Sequence, residues 1–412
     1  MNQVSKPTNS PNAAPARPAS ILVIDPKREL RKHVFEFLTD MGDPSRLVLI
    51  DTNTILDFFE GQDDLPLMSK MAKLGAIAPP AWSKPGPGAA TWVAMAKSFL
   101  EKIVRFDALG REKGGHPLRE VLNHLDPQET QPSYFAVLQR LLNFARASRE
   151  NLQLANQAIL DSAKQYGIPE AAATFFQSFL ADPDLIAQFN YFCMEADIFL
   201  DAVANPDVTR LIDFCPFGPE SSSITPLLPL VEDGKVIVFS PSLLSDATVT
   251  IVGKCLKTKF FQSVFSRDDK TRPVGYVCDE CQRFITCDED SGEQSFLDRC
   301  RAYRTTCILA TQSIAAIQYA LSDAPGADQA VDIILNNTGN KILMRNTDDS
   351  TSRRLHALIP DSPYGGPHIA DIRPMTTLGR GEAYYLLCNG EWGRETIKLP
   401  THDVPRGDYH AL

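Results

Sequence analysis

Two short apolar runs, each closed by polar residues, constrain this chain more than anything else in it. Val274–Cys278 ends in the acidic pair Asp279-Glu280, and further along Cys307–Ala310 ends in Thr311-Gln312-Ser313. Apolar runs this short and this continuous mark strands buried on both faces, which belong to parallel sheets with helices above and below. The same grammar appears earlier. Ile21–Ile24 stops at Asp25-Pro26, where proline opens a helix over roughly Lys27 to Met41 whose Leu30, Val34, Phe37 and Leu38 follow helical spacing. Leu47–Ile50 is again ended by an aspartate, Asp51. Gly234-Lys235 leads into Val236–Phe239, followed by a long helix from about Asp246 to Phe265. Strands starting at 21, 47, 235, 274, 306 and 341 predict one doubly wound parallel sheet.

The rest of the α/β pattern is less regular. Helices are expected at Glu293–Tyr303, Ala327–Leu335 and Asp349–Leu358, then a Pro/Gly-rich loop at Pro360–Gly381 and closing strands at Glu382–Cys388 and Arg394–Leu399. Between the second and third strands the period changes. Ala90–Phe106, Tyr134–Ala147, Leu152–Tyr166 and Ala171–Leu180 are helical in spacing, and a Pro/Gly-rich loop at Pro79–Gly88 leads into them. The expected organisation is a disordered tail at 1–20, a first α/β part at 21–64, an all-α insertion at 65–215, and the remainder of the α/β domain at 216–412.

Composition excludes several classes. A hydrophobic content of 43% and a charged content of 22% are those of a globular protein with a core. No apolar run reaches the roughly 18–20 residues of a membrane span, and the first twenty residues lack the apolar stretch of a secretory signal. A net charge of −10 argues against a surface that coats nucleic acid, leaving DNA only a locally basic channel. The densest basic segment runs from Lys254, Lys257 and Lys259 to Arg267, Lys270 and Arg272, and is expected to be the solvated face of an amphipathic helix. The nine cysteines are odd in number, and Cys278, Cys307 and Cys388 sit in strand-like runs. They are expected to be reduced thiols of a cytoplasmic protein, packing as small hydrophobes. Cys278-x-x-Cys281 straddles a strand end and no second pair follows, so a zinc site is not expected.

Chemistry concentrates at the strand ends. Ligand sites of parallel sheets form at the C-terminal ends of strands. Asp279 there can hold the water shell of Mg2+, Glu280 can polarise an attacking water, and Gln312 can sense a γ-phosphate. Arg301, before the Gln312 strand, can reach a neighbouring subunit's phosphates in a ring, or be a surface arginine on a helix that also carries Arg299 and Arg304. The phosphate cradle G-x-x-x-x-G-K-[ST] is not found in this sequence. Gly253-Lys254 is followed by Cys255 and has Thr248 at the first glycine, and Gly234-Lys235 precedes a strand instead of a helix.

The order of these segments resembles the conjugative coupling proteins of type IV secretion, the TraD/TraG type. Asp25-Pro26-Lys27-Arg28-Glu29-Leu30 is similar to their DPKGEL strand, and Gly234–Phe239 to their GKILVV segment. Asp279-Glu280 matches their Walker B pair, and Arg301 through Gln312-Ser313 their RKxG…QS block and the RAAG…ATQ of FtsK and HerA pumps. Leu335 through Thr351 resembles the segment that follows. The resemblance implies an α/β, RecA-like P-loop NTPase fold with an all-α insertion and an ATP and Mg2+ site using Asp279, Glu280, Gln312 and Arg301. Asp25 and Lys27 are its cofactor-binding candidates. It further implies a homo-oligomeric ring that recruits a relaxase, effector protein or single-stranded DNA, working in the cytoplasm or at the inner membrane through partners. Three departures accompany it: the phosphate cradle, the membrane anchor, and Arg304 in place of glycine. The chain alone is therefore expected not to hydrolyse ATP efficiently. Rival readings are a non-catalytic substrate-recognition platform and a HerA/FtsK-type DNA translocase in repair or defence.

Overall fold

The expected strand-ending aspartates and prolines do start and stop the central strands. In the computed structural model, five parallel strands run in the order β2, β5, β1, β6, β7: β1 is Ser20–Ile24, β2 Leu47–Ile50, β5 Val236–Phe239, β6 Val274–Cys278 and β7 Thr305–Leu309. β3 (Leu56–Asp57) and β4 (Ile212–Asp213) form a small parallel pair of their own. The structure describes residues 18–348, 351, 354 and 378–397, except 52–53, 79–81, 83–84, 87, 128–132, 220–222, 242–243, 288–291 and 322–325. Most of the expected tail, the helix at Asp349–Leu358 and nearly all of the loop at Pro360–Gly381 lie outside the described residues.

Register decides the two faces of the sheet. Leu49, Val238, Val23, Val277 and Ile308 are successive cross-strand partners and share one face. Helix α1 (Leu30–Asp40) lays Leu30, Val34 and Leu38 on that row. The alternate residues, among them Leu22, Ile24, Tyr276 and Cys278, enter the main core. There the helix Asp246–Ser266 packs Phe261 edge-on against Tyr276, with ring centres 5.1 Å apart. Glycine permits a close approach on this helix, since a Cβ at Gly253 would come within 2.4 Å of the Phe284 ring.

Two expectations need correction. The strand β8 (Lys341–Met344) does not join the parallel sheet. It pairs with β9 (Glu382–Leu386), which pairs with β10 (Trp392–Thr396), in a separate antiparallel sheet. The β9–β10 hairpin closes locally through Asn389-Gly390, with Gly390 at φ 83°. The basic segment is not a solvated face either. Lys257, Lys259 and Arg267 are buried, because the helix that carries them is covered by sheet, insertion and following loop. Lys259 donates to the carbonyl of Glu60 at 2.6 Å, and burial pushes its ammonium down to about 8 against the pull of Glu60 and Asp57. The native state thus releases this proton before the unfolded chain does. Over about pH 8–10.5 the unfolded state holds more protons, so stability rises with pH from this group. In Lys259→Met that rise should flatten, which urea unfolding at several pH values would show.

The insertion consists of helices Leu67–Ile77, Ala90–Arg111, Pro117–Leu125, Tyr134–Ala147, Arg149–Tyr166, Glu170–Ala173, Gln177–Ala181, Pro183–Val203 and Pro206–Thr209. Its core is aromatic, with Phe99 touching Phe175, Phe176, Phe179 and Phe189. One helix cannot aim the adjacent Phe175 and Phe176 at the same ring from one face. The expected helix Ala171–Leu180 is accordingly broken in two at Thr174. The helix expected over Glu293–Tyr303 ends at Cys300 and tightens into a 3-10 turn, Arg301–Tyr303, closed by Arg304 at φ 50°. An L-residue there is strained where glycine is not. Arg304→Gly should raise unfolding stability by up to about 1 kcal/mol in denaturant titration.

Candidate functional site

Parallel strands end on one edge, so whatever follows β1, β6 and β7 converges there. Asp279 follows β6 and its amide donates to the Ile24 carbonyl of β1 at 3.0 Å. Cys281 donates to the carbonyl of Ala310 after β7 at 2.9 Å. These two bonds lock the Asp-Glu turn between the neighbouring strand ends. Glu280 is buried and sits at φ 50°, a left-handed conformation rare for a residue with a side chain.

That turn aims the Glu280 carboxylate at three donors. Gln312 Nε2 lies 3.0 and 3.1 Å from Oε1 and Oε2, and Gln282 Nε2 lies 2.5 Å from Oε2. Lys27 forms an ion pair with Oε1, its own side chain remaining 47% exposed. Burial works to push the Glu280 carboxyl up, but the hydrogen bonds from Lys27, Gln312 and Gln282 outweigh it and hold it below the usual carboxylate range. The Lys27 ammonium is raised in turn, first by its hydrogen bond to Glu280 and also by the charge of Asp279. Glu280 is therefore an ionised, oriented carboxylate at neutral pH, beside a half-buried Asp279.

The other candidates are placed differently. Asp25 is fully buried, and its carboxylate accepts from the amides of Glu29 (3.1 Å), Leu30 (2.9 Å) and Arg31 (2.9 Å) and from Ser240 Oγ (3.2 Å). Sequence reasoning set it with Lys27 as a cofactor contact; the structure uses it to cap α1. Asp25→Ala would leave those donors unpaired and should cost roughly 2–3 kcal/mol in urea unfolding. Arg301 is exposed at the opposite end of β7 from Gln312, about 16 Å away by strand rise. It does not join the Glu280 cluster of its own chain. Gln282 was missed, because nothing in sequence spacing marks a glutamine on a loop as a partner of a buried acid.

Asp279 and Glu280 are hard oxygen donors of the kind Mg2+ takes through its waters. No group of three or more His, Cys, Asp or Glu residues set to hold a metal ion occurs among the described residues. The nine cysteines are free thiols, and burial pushes Cys278 up to about 12. The phosphates of a nucleotide fit less well. The amides that open α1 are already taken by the Asp25 carboxylate. No glycine-lysine loop opens a helix at this edge among the described residues.

No family model and no curated protein matches the chain. Solved structures do. The bacterial conjugative coupling protein TrwB in an unbound form aligns with a TM-score of 0.53 at 11% identity, over 94% of this chain and 80% of that one. The plasmid coupling protein TrwB in complex with ADP and Mg2+ aligns with a TM-score of 0.54 at 10% identity, again over 94% and 80%. TrwB in complex with a non-hydrolysable ATP analogue gives the same values. Likeness over nearly the whole chain at so low an identity speaks to architecture: the chain has the RecA-like P-loop NTPase fold of the conjugative coupling protein TrwB.

Proposed function

We propose that this chain is the ATPase module of a coupling-protein-like machine of conjugation or type IV secretion, and that it carries the hydrolytic half of a nucleotide site. The single observation behind this reading is the Glu280 carboxylate, oriented by Gln312 across adjacent strand ends with Asp279 beside it. Asp279 is the Mg2+ residue through water, Glu280 the base, and Gln312 the link to the reacting phosphate. Arg301, remote from its own site, serves a neighbour in a homo-oligomeric ring. The cargo is a relaxase, effector protein or single-stranded DNA, and the helical insertion at 65–215 is a unit distinct from the two α/β parts. No helix among the described residues is long and apolar enough to cross a membrane, and in this reading membrane contact is made through partners.

A non-catalytic platform is the second reading. It is favoured by one observation, the neutralisation of Glu280 by Lys27 in a site without a phosphate cradle. The test is direct. The purified chain with Mg2+ and ATP should release phosphate no faster than buffer does; robust turnover abolished by Glu280→Gln would overturn the half-site reading. A Glu280→Ala chain that keeps full substrate transfer in cells would decide for the platform.

A further inference from the structure

The pair β3 and β4 ties the chain before the helical insertion to the chain after it. The Leu56 amide donates to the Leu211 carbonyl at 2.8 Å, and the Phe58 amide to the Asp213 carbonyl at 2.9 Å. Packed against this pair, the insertion leaves a cavity of about 330 Å³. Close-packed interiors hold few voids larger than a water molecule, and small-molecule sites begin at this size. Phe135, Val203 and Ile212 give the cavity a buried apolar wall. Among the described residues its charged lining groups are the guanidiniums of Arg119 and Arg210 and the carboxylate of Asp213, an excess of positive charge. That carboxylate already accepts from the Cys215 amide at 2.9 Å.

Two of the lining residues hold buried polar atoms without a hydrogen-bond partner among the described residues: Arg210 Nε and Ser133 Oγ. Arg210 spends a terminal nitrogen on Asp207, 3.3 Å away, at a place where the two side chains are 38% and 49% exposed. Its Nε stays buried and unused. Ser133 stands at the N-cap of the helix Tyr134–Ala147, yet its side chain makes no cap bond. A serine there ordinarily accepts from the second or third amide of the helix. An Nε–H only donates and a hydroxyl can donate, so one acceptor chemistry serves both atoms. Water serves them too, but it gains nothing from the apolar wall or from the positive excess. An oxyanion on an apolar body uses all three features, through charge-assisted hydrogen bonds, matched charge and apolar area removed from water.

We propose that this cavity is the binding site of a small organic anion, a carboxylate or phosphate head on a compact apolar body. The head accepts from Arg210 Nε and Ser133 Oγ, Arg119 adds a second positive charge, and the body lies on Phe135, Val203 and Ile212. Such a ligand touches insertion helices on one side and β4 on the other. Its occupancy therefore fixes how the insertion meets the strands that carry the chain in and out of it, which is the position of an effector. Asp279, Glu280 and Gln312 do not line the cavity, so the inference does not rest on the nucleotide reading.

The test titrates the full chain calorimetrically with three probes of one size: phenyl phosphate, benzoate and uncharged benzamide. At least one anion should saturate with a dissociation constant below about 1 mM, and benzamide should bind at least about tenfold more weakly. Arg210→Lys keeps the charge but loses the Nε donor, and should weaken the anion at least about tenfold. Ser133→Ala should weaken it at least about threefold, and carries the test alone if the arginine variant does not fold. Saturating anion should also slow amide hydrogen exchange at Phe135 to Val137 and at Ile212 to Phe214. Tighter phenyl phosphate assigns a phosphate head and tighter benzoate a carboxylate head, and either order upholds the site. No saturation by either anion up to about 10 mM would overturn it. Equal binding of benzamide would do the same, since the cavity would then read the apolar body alone. Anion binding that both folded variants leave unchanged, or that protects other segments only, places the ligand elsewhere and also overturns the proposal.

Discussion

Replacing Glu293 by alanine is expected to cost the fold about 3–5 kcal/mol, because it strands a buried ammonium. Lys257 is 0% and Glu293 2% exposed, with 2.8 Å between Nζ and Oε1. Lys257 Nζ also donates to the Phe284 carbonyl at 2.8 Å and Thr286 Oγ1 at 3.0 Å, and the Thr286 amide donates to Glu293 Oε2 at 2.8 Å. The network clamps the loop after β6, which ends the Asp279-Glu280 turn, between the helices Asp246–Ser266 and Glu293–Cys300. Burial pushes the Glu293 carboxyl up while Lys257 and the Thr286 amide pull it down. Taking both charges away is a different matter: Lys257→Met with Glu293→Leu removes the desolvation cost together with the attraction. The double variant should recover most of the loss in urea unfolding. Equal losses in the single and double variants would show that packing, not charge, is what matters there.

The second large effect is on activity. With the phosphate-binding half of the site supplied, Glu280→Gln should lower ATP turnover about 100-fold or more, the usual contribution of a positioned base. Glutamine keeps the shape and the reach to Gln312 but cannot take a proton. The same change should lower stability at neutral pH by what the ionised carboxylate contributes there, and remove a pH dependence. Glu280 has a folded-state pKa below its unfolded value, so it contributes stability above the unfolded value, near 4.5, that is lost as pH falls through the folded one. Wild type should lose stability over that acid range faster than Glu280→Gln. An unchanged turnover would remove Glu280 from the chemistry whatever the acid limb shows.

Much of this was legible in the linear pattern. The five central strands are continuous apolar runs, and their ends are written in Asp25-Pro26, Asp51, Asp279-Glu280 and Gln312. Continuous apolar runs carry their own signal, although β7, expected to be buried on both faces, leaves Ile308 57% exposed. Local signals did not reveal which residues would meet across long separations. Lys257 and Lys259 look like a solvated basic stripe, because charge says nothing about the helix being buried from several sides. Thr174 carries no breaker chemistry, and the break there comes from Phe175 and Phe176 both seeking Phe99. Arg28 and Arg304, both at positive φ, stand where the resembling motifs have glycine, a departure whose cost shows only in backbone geometry.

The sequence by itself determined the strands, their polar ends and the lack of a phosphate cradle, because each is a property of contiguous residues. Tertiary structure decided what those ends do. It spent Asp25 on capping α1, brought Lys27, Gln282 and Gln312 onto Glu280, and kept Arg301 at the far end of β7. It also separated β8 from the sheet that its sequence suggests. Pairing depends on which strand arrives beside which.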